Sequence, residues 1–486
     1  MQDVPIIFSV ILFWTIIYLV DFILKKYRKL SQTYIHLLKE NGVTFSFGHI
    51  RWYTTKLNRC FYRWGKYYPN FNILWFTVGA CFGVVAMVMS TIVLSGMLIN
   101  ALHQTSPKQL LIPVMPGINL PLSHILYYFS TLFMAGIVHE IGHALAAVRE
   151  QVRVNGFGIF FMVLYPGAFV DLFTEHLMVI TPMRQLRIYC AGIWHNFILA
   201  LFFYGFLQML PWLLSLGYVT GRGAVILQSI KGSAVEESLS VGDYITSVHK
   251  CHVTQAEDWH SCLKQIILKK QHGYCTDMLT MTRKNSFLDK ENYESKKMED
   301  CCGNLTASRF CFSYHSSLGQ HGYSCLPVRT MMSDNICSHP SECPDAGGDK
   351  VCIHPLLDNS SRLIKISHHK GQDVLFVGDP KLLFLSVYTG DYLPVWKYFP
   401  LKLPMVLETF SMYMISLSGA LALLNATPCY WLDGQWILYA FVDFSLSKYL
   451  PDIRTRNALC GIILAIGTFL LATNIMIAVY ALGKVT

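Results

Sequence analysis

Charged residues are scarce in this chain, and that scarcity argues against a soluble globular fold. Only 14% of its 486 residues are Asp, Glu, Lys or Arg, whereas 53% are hydrophobic. A typical soluble domain carries about 25% charged residues. The composition is instead typical of a protein that lies largely in a lipid bilayer.

Six apolar runs are long enough to cross a membrane, whose hydrocarbon core of about 30 Å takes about 20 helical residues. They cover residues 4–24, 73–99, 122–148, 188–216, 403–424 and 459–482. The first run lacks a small-residue cleavage site, so we interpret it as a retained anchor and not as a cleaved signal peptide. These runs predict a mainly α-helical polytopic membrane protein with about six transmembrane helices.

Acidic residues are nearly absent between residues 25 and 72, where ten Lys or Arg accompany a single acid, Glu40. Short basic loops mark the cytosolic side of a membrane protein, so we place residues 25–72 in the cytosol. Successive spans alternate direction, which then places residues 217–400 in the lumen. The aromatic residues among these cations indicate a belt at the bilayer surface. No nucleic-acid recognition signature accompanies them, so the predicted partner of this region is the lipid bilayer and not a nucleic acid.

The predicted luminal loop contains ten of the fifteen cysteines, all between residues 251 and 352. An even and dense set of this kind indicates disulfides formed in an oxidising compartment. The loop also carries two glycosylation sequons, at Asn304 and Asn359. Zinc binding by these cysteines is the less favoured alternative, because they lack paired CxxC spacing.

Residues 223–262 of the same loop alternate apolar positions with turn signals and resemble the core of a PDZ-type domain. The pattern predicts a strand over residues 244–248 and a helix over residues 256–263. We interpret the cysteine-dense segment that follows as an insertion. The sequence therefore predicts a luminal PDZ-like α/β domain with a cysteine-rich insertion.

The third apolar run contains a metal-binding motif, HEIGH, with His139, Glu140 and His143. Helix positions i and i+4 share one face, so both imidazoles can reach one metal ion, and Glu140 can act on a water as a general base. His139 lies 16 residues beyond Ser123, or about 24 Å at 1.5 Å per residue, which is inside the bilayer. The motif also arises by chance in soluble helices, but ionisable residues in lipid are costly and usually functional.

Two histidines leave a catalytic metal one protein ligand short, because such sites usually combine three protein groups with one open position. The best candidate is Asp433, which lies in the polar interruption between Asn425 and Gly434. An Asp before Gly also commonly caps a helix. The residues alone leave both roles open.

Three motifs on separate spans resemble, together and in order, those of the site-2 protease family. They are HEIGH at 139–143, GIWHN at 192–196 and the pattern from Asn425 through Pro428 to Leu432-Asp433-Gly434. The resemblance implies that His139, His143 and Asp433 are Zn²⁺ ligands. It also implies that Glu140 is the catalytic acid–base group, and that Asn196 steadies the substrate or its oxyanion. The chain departs from the family pattern at Ala144 and in a short, serine-poor linker at 104–113, neither of which touches a predicted ligand.

The resemblance further implies an intramembrane zinc metalloprotease acting in regulated proteolysis. Its expected substrates are membrane-anchored transcription factor precursors, similar to the precursors of the sterol regulatory element-binding proteins that act in cholesterol metabolism. The enzyme is expected to cut them after a first cut in their luminal part. The expected location is the Golgi membrane or the endoplasmic reticulum. By the same analogy, the PDZ-like domain filters out substrates whose outer domain is still attached; the alternative is an inert stabilised cap.

Two further readings of the residues stay open. Residues 156–170 are apolar but too short to span the bilayer as a helix, and Pro166-Gly167 is a turn signal. This segment is either a re-entrant β-hairpin that holds an extended substrate by strand addition or a buried connector. A metal or proton transporter, or an inactive homologue acting as a membrane chaperone, would also place polar groups in its spans.

The predicted domain organisation follows from these motifs and runs. An N-terminal two-span region with its basic loop covers residues 1–121, and a catalytic membrane core covers residues 122–216. The luminal domain covers residues 217–400, and a C-terminal membrane core covers residues 401–486.

Overall fold

The computed structural model describes most of the chain. The described residues are 3–27, 31–103, 120–163, 165–230, 232–233, 235–236, 238–277, 287–288, 302, 309–316, 321–332, 336–343 and 350–485. The linker at 104–113 and the sequon at Asn304 lie outside these residues. The contacts divide the chain into two compact units: Met1–Pro211 with Leu407–Thr486, called here the membrane unit, and Trp212–Val406, called here the cysteine-rich unit.

The chain is mostly helical. Its α-helices, in chain order, are α1 Asp3–Lys26, α2 Ser31–Glu40, α3 Asn58–Lys66, α4 Pro69–His103, α5 Ile125–Arg149, α6 Thr174–Val179, α7 Pro182–Tyr189, α8 Ala191–Leu214, α9 Ala256–Leu268, α10 Val328–Met331, α11 Pro380–Ser386, α12 Leu403–Ala426, α13 Asp433–Leu446 and α14 Ile453–Val485. Short 3₁₀ turns cover Leu122–His124 and Pro340–Glu342.

Six helical segments of the described chain are long and apolar enough to cross a membrane, which confirms the predicted number. They are Phe8–Lys26, Pro69–Ala101, Leu122–Arg149, Pro182–Leu214, Leu403–Ala426 and Ile453–Ala481. The fourth begins six residues before the apolar run does, because α7 continues through a single residue, Cys190, into α8. The protein is therefore a multi-pass membrane protein by the length and composition of its helices.

Eighteen strands complete the described structure. They are β1 Val43–Ser46, β2 His49–Thr54, β3 Val154–Met162, β4 Tyr165–Leu172, β5 Tyr218–Val219, β6 Ala224–Ser229, β7 Tyr244–Val248, β8 Cys251–His252, β9 Gly273–Asp277, β10 Phe287–Leu288, β11 Arg309–Ser316, β12 His321–Pro327, β13 Ile336–Cys337, β14 Lys350–Pro355, β15 Arg362–His368, β16 Val374–Gly378, β17 Val387–Gly390 and β18 Leu393–Pro394.

The membrane unit contains a four-stranded antiparallel sheet in the order β1, β2, β3, β4. Strands β3 and β4 form a hairpin, with Met162 opposite Tyr165, so residues 156–170 adopt the predicted β-hairpin. Glycines occur where aromatic rings cross the sheet, since a Cβ at Gly158 would lie 2.2 Å from the Phe169 ring. Strand β4 packs against α5, and this contact brings the sheet beside the HEIGH motif.

The cysteine-rich unit contains two larger sheets. One has the order β16, β15, β7, β6, β17 and packs on α9 around Trp259 and Leu263; the other has the order β10, β12, β11, β14, β9, β13. Strand β7 and helix α9 begin at the predicted residues, 244 and 256. The PDZ-like identity of this unit stays a prediction, as do the domain boundaries.

Disulfides occur in both sheets, as the cysteine pattern predicts: Cys251–Cys262 joins β8 to α9 beside the first sheet, and the other described bonds lie in the second. The described bonds are Cys251–Cys262, Cys275–Cys343, Cys302–Cys325 and Cys337–Cys352. All of these cysteines come from the predicted luminal segment. Among the described residues, the cysteines without a disulfide all lie outside it: Cys60, Cys81, Cys190, Cys429 and Cys460.

Candidate metal centre

Helix α5 presents His139 and His143 on one buried face. The two residues are 5% and 8% exposed, and they lie one helical turn apart, as the i, i+4 spacing requires. Alanines occupy several neighbouring positions, with Ala135, Ala144, Ala146 and Ala147 fully buried. These small residues let other elements approach α5 closely.

Asp433 comes from a different part of the membrane unit. The fifth apolar run ends as helix α12 at Ala426, and Asp433 is the first residue of the separate helix α13. Leu432, and not Asp433, occupies the N-cap position of α13. The intervening turn is tight, because a Cβ at Gly434 would lie 2.0 Å from the Thr427 carbonyl oxygen, so only glycine fits after Asp433.

Three donor atoms converge between these helices. The Asp433 Oδ2 atom lies 2.9 Å from His139 Nε2 and 3.2 Å from His143 Nε2, and the two Nε2 atoms lie 3.2 Å apart. Among the described residues of the membrane unit, this is the only such group that can hold a metal ion.

A hydrogen bond at Nδ1 of the His143 ring fixes its tautomer. Its Nδ1 lies 2.8 Å from the Ile188 carbonyl oxygen, which can only accept a hydrogen bond. The proton of a neutral His143 is therefore on Nδ1, and Nε2 presents a lone pair toward Asp433 and His139. A lone pair facing a carboxylate oxygen is repulsive unless a cation lies between them, so this donor set fits a divalent metal.

Asn196 stands behind the other imidazole. This residue of α8 is fully buried, and its Nδ2 lies 3.1 Å from His139 Nδ1. Within the described part of the chain, the Asn196 Oδ1 atom has no hydrogen-bond partner. A half-turn of the amide would place Oδ1 beside the ring, where it can accept the Nδ1 proton. His139 would then also present an Nε2 lone pair.

Glu140 points from α5 toward strand β4. Its Oε2 accepts a hydrogen bond of 3.0 Å from the Val170 backbone N–H. It lines a cavity of 450 Å³ that also contacts His143 and Asp433. The carboxylate therefore lies beside the donor cluster without belonging to it.

Helix α13 contributes one whole face to this cavity, which the sequence motifs did not reveal. Asp433, Trp436, Tyr439 and Asp443 all line it, at helical spacings of three and four residues. Asp443 is paired with Arg456 at 2.8 Å. The recurrence of polar and aromatic residues every three to four positions was the signal that could have identified this face.

The first residue of the GIWHN motif, Gly192, must be a glycine for lack of space. A Cβ at this position would lie 2.5 Å from Nε2 of both His139 and His143. Any side chain would therefore occupy the space in which the donor atoms meet. Sequence reasoning assigned no role to this glycine.

Other polar residues near the motifs lie apart from the donor cluster. The His195 ring bonds to the Ala191 carbonyl oxygen at 2.7 Å within α8. Asp171 accepts hydrogen bonds from Tyr53 and Asn155 within the sheet. Neither belongs to the group that could hold a metal.

Comparisons with known proteins agree with this geometry. Residues 127–345 match the model of Peptidase family M50. Over 429 residues, covering 79% of this chain and 83% of the relative, the sequence is 26% identical to the membrane-bound transcription factor site-2 protease homolog of Arabidopsis thaliana. This homology supports an intramembrane metalloprotease. Residues 127–345 thus match peptidase family M50, the site-2 protease family.

Proposed function

We propose that this protein is an intramembrane zinc metalloendopeptidase in which His139, His143 and Asp433 hold the zinc ion. The observation that carries the proposal is the convergence of their three donor atoms within 3.2 Å of one another. Two imidazoles and one carboxylate form a usual ligand set for catalytic zinc. When bound, zinc would supply Lewis-acid chemistry, polarising the scissile carbonyl and making water easier to deprotonate.

Glu140 is the proposed general base and acid. Its Oε2 is held by the Val170 N–H, and it lines the same cavity as His143 and Asp433. A carboxylate fixed in this way can take a proton from the attacking water. It can then deliver that proton to the leaving amide nitrogen.

Asn196 is the proposed positioning residue for His139. Its Oδ1, after the half-turn of the amide, accepts the His139 Nδ1 proton and orients the ring, as partners of ligating histidines commonly do. The same turn leaves both N–H groups of the amide without a partner among the described residues. By the family resemblance, this amide is the group we assign to the substrate oxyanion.

Strand β4 is the proposed binding strand for the substrate. It is the last strand in its sheet, and its outer side carries the Val170 N–H that reaches Glu140. A helical substrate satisfies all its amides internally, so the scissile segment must unwind and find new partners before it can be cut. Strand addition to β4 would supply those partners beside Glu140.

Membrane-anchored transcription factor precursors, including sterol regulatory element-binding protein-like precursors, are the proposed substrates. The name of the Arabidopsis relative and the resemblance of the motifs support this choice. We further propose that a first luminal cut precedes cleavage. The cysteine-rich unit would act as a luminal PDZ-like filter in the Golgi membrane or the endoplasmic reticulum.

Metal analysis combined with a cleavage assay on a membrane-anchored reporter tests the proposal. The change Glu140→Gln should leave zinc bound, because all three proposed ligands remain, and should lower cleavage at least about a hundredfold, since the proton carrier is lost. Parental cleavage by this variant would contradict the mechanism. Metal or proton flux without cleavage products would instead support the transporter alternative, and zinc binding with neither activity would support the inactive chaperone.

A further inference from the structure

Helix α3 lies at the membrane surface because of its connection to α4. It ends at Lys66, and the membrane-spanning helix α4 begins at Pro69. Tyr68 makes the sharp turn between them with a positive φ of 52°. The Asn72 side chain of α4 closes this turn, donating to the carbonyl oxygens of Gly65 and Tyr67.

One face of α3 packs on the elements that carry the candidate site. A Cβ at Gly65 would lie 2.8 Å from the Val148 side chain of α5, so the two helices are in close contact. The Phe61 ring lies 5.9 Å from that of Phe157 in β3. The Asn58 amide donates to the carbonyl oxygens of residues 154 and 155. The position of α3 is therefore coupled to both α5 and β3.

The opposite face of α3 is an exposed basic stripe. Arg59, Tyr62, Arg63 and Lys66 recur at helical spacing, and all four are exposed. Helix α3 contains no acidic residue, and no ion pair to Arg59, Arg63 or Lys66 occurs among the described residues. A groove of 660 Å³ follows this face and is lined by Asn58, Arg59, Tyr62, Arg63, Lys66 and Tyr67.

Exposed aromatic side chains surround the stripe on the side of α4. Trp64, Tyr67, Tyr68 and Phe71 are each more than half exposed. Large aromatic rings of this kind are typical of the headgroup level of a bilayer. They place the basic stripe beside phosphate groups of the adjacent leaflet.

We propose that the basic stripe of α3 binds the phosphate of an anionic phospholipid headgroup. Juxtamembrane clusters of Lys and Arg attract acidic lipids, guanidinium groups pair with phosphate by two parallel hydrogen bonds, and Tyr62 supplies a hydroxyl within the same groove. A bound headgroup holds α3 against α5 and β3. Lipid composition would then tune cleavage. This last step rests on the proposed function, whereas the binding does not.

Photolabelling of the full-length protein in bilayer nanodiscs tests the binding. The probe is a photoactivatable phosphatidylserine diluted in phosphatidylcholine, and labelled peptides are mapped by mass spectrometry. Arg59→Gln with Arg63→Gln should raise the probe fraction needed for half-maximal labelling of residues 58–67 roughly 25-fold, at about fivefold per basic residue. Arg59→Lys with Arg63→Lys keeps both charges and should retain most of the labelling.

Matched controls identify the source of the effect. Lys448→Gln with Arg454→Gln removes two exposed charges elsewhere in the membrane unit and should leave labelling of α3 unchanged. Unlabelled phosphatidylserine should compete with the probe, whereas inorganic phosphate should not. Equal labelling by a phosphatidylcholine probe, retained labelling in the Arg59 and Arg63 glutamine variant, or competition by inorganic phosphate would each overturn the proposal. None of these readouts depends on proteolysis.

Discussion

At the scale of single residues, Gly192 keeps the space beside the two imidazoles free of any side chain. Gly192→Ala would place a Cβ 2.5 Å from both Nε2 atoms, and overpacking of this kind commonly costs 1–3 kcal/mol. We expect this variant to lose most of its bound zinc and its cleavage while the rest of the protein stays folded. Zinc content measured beside the melting temperature checks this.

A matched control lies on the same helix. Gly205 of α8 has open space around its would-be Cβ, so Gly205→Ala should keep parental zinc and activity. If both alanine variants behave alike, the effect belongs to the helix backbone and the role assigned to Gly192 is wrong.

Asp433 offers a second test of single residues. Asp433→Asn keeps the size of the side chain but removes the charge that offsets a dication in a medium of low dielectric constant. Zinc affinity should fall roughly 100-fold or more, beyond the 10–100-fold cost of losing an outer partner. A helix-capping residue would tolerate Asn almost fully, so normal zinc content and cleavage would remove Asp433 from the proposed site.

Side-chain motifs predicted part of this centre, and backbone groups account for what they missed. The i, i+4 spacing alone pairs His139 with His143, whereas Asp433 needed the family resemblance because a cap was an equal reading. The Ile188 carbonyl oxygen and the Val170 N–H also hold the site. Every residue except proline has both of these groups, so no pattern of side chains could single them out.

At the scale of elements, the outer edge of β4 can be tested without touching Glu140. Val170 donates to Glu140 of α5, and alternate residues of a strand face the same side, so the Ala168 N–H also points away from β3, on the side of Gly136 of α5. Ala168→Pro removes that donor while sparing the bonds to β3, as proline does on edge strands. We expect bound zinc to be kept and kcat/KM for a membrane-anchored reporter to fall about tenfold.

The control for the proline variant is a substitution at the same position that keeps the backbone N–H donor. Ala168→Gly retains the N–H and should cut the reporter at close to the parental rate. Parental kcat/KM in the proline variant would show that substrate does not pair with this edge. Zinc loss in that variant would instead indicate a structural defect in the sheet.

The hairpin was one of two predictions for residues 156–170, but the sheet it joins was not predicted. Strands β1 and β2 come from residues 43–54, about a hundred positions earlier, and β2 pairs with β3 along its whole length. Their short alternating pattern is hidden among the basic residues that mark the loop as cytosolic. Pairing between strands so distant in sequence leaves no local signal.

At the scale of the whole molecule, the orientation of the loop at 217–400 is the main untested prediction. Asn359 is exposed at a turn, where a glycan could attach in a luminal compartment. Glycosidase treatment should increase the mobility of the parental protein. The shift should disappear when Asn304 and Asn359 are both replaced by Gln. An unshifted parent whose loop is labelled by a cytosolic reagent would reverse the predicted topology.

The number of transmembrane helices was predictable, whereas the architecture of the cysteine-rich unit was not. Bilayer thickness fixes the length of a spanning helix, so six apolar runs suffice to predict six spans. Ten cysteines admit many connectivities. The six-stranded sheet pairs β9 with β14 across about 75 residues, a separation that hydrophobic pattern does not encode.

The order of the proposed ligands along the chain has a consequence for biosynthesis. Asp433 follows His143 by 290 residues, and the cysteine-rich unit is made in between. At about 5–20 residues per second, the ribosome needs roughly 15–60 s to pass from one to the other. During that interval the nascent chain contains HEIGH without its third partner. With the proposed ligand set, the nascent chain would acquire a complete zinc site only after α13 is made, and a chain truncated before α13 would lack Asp433.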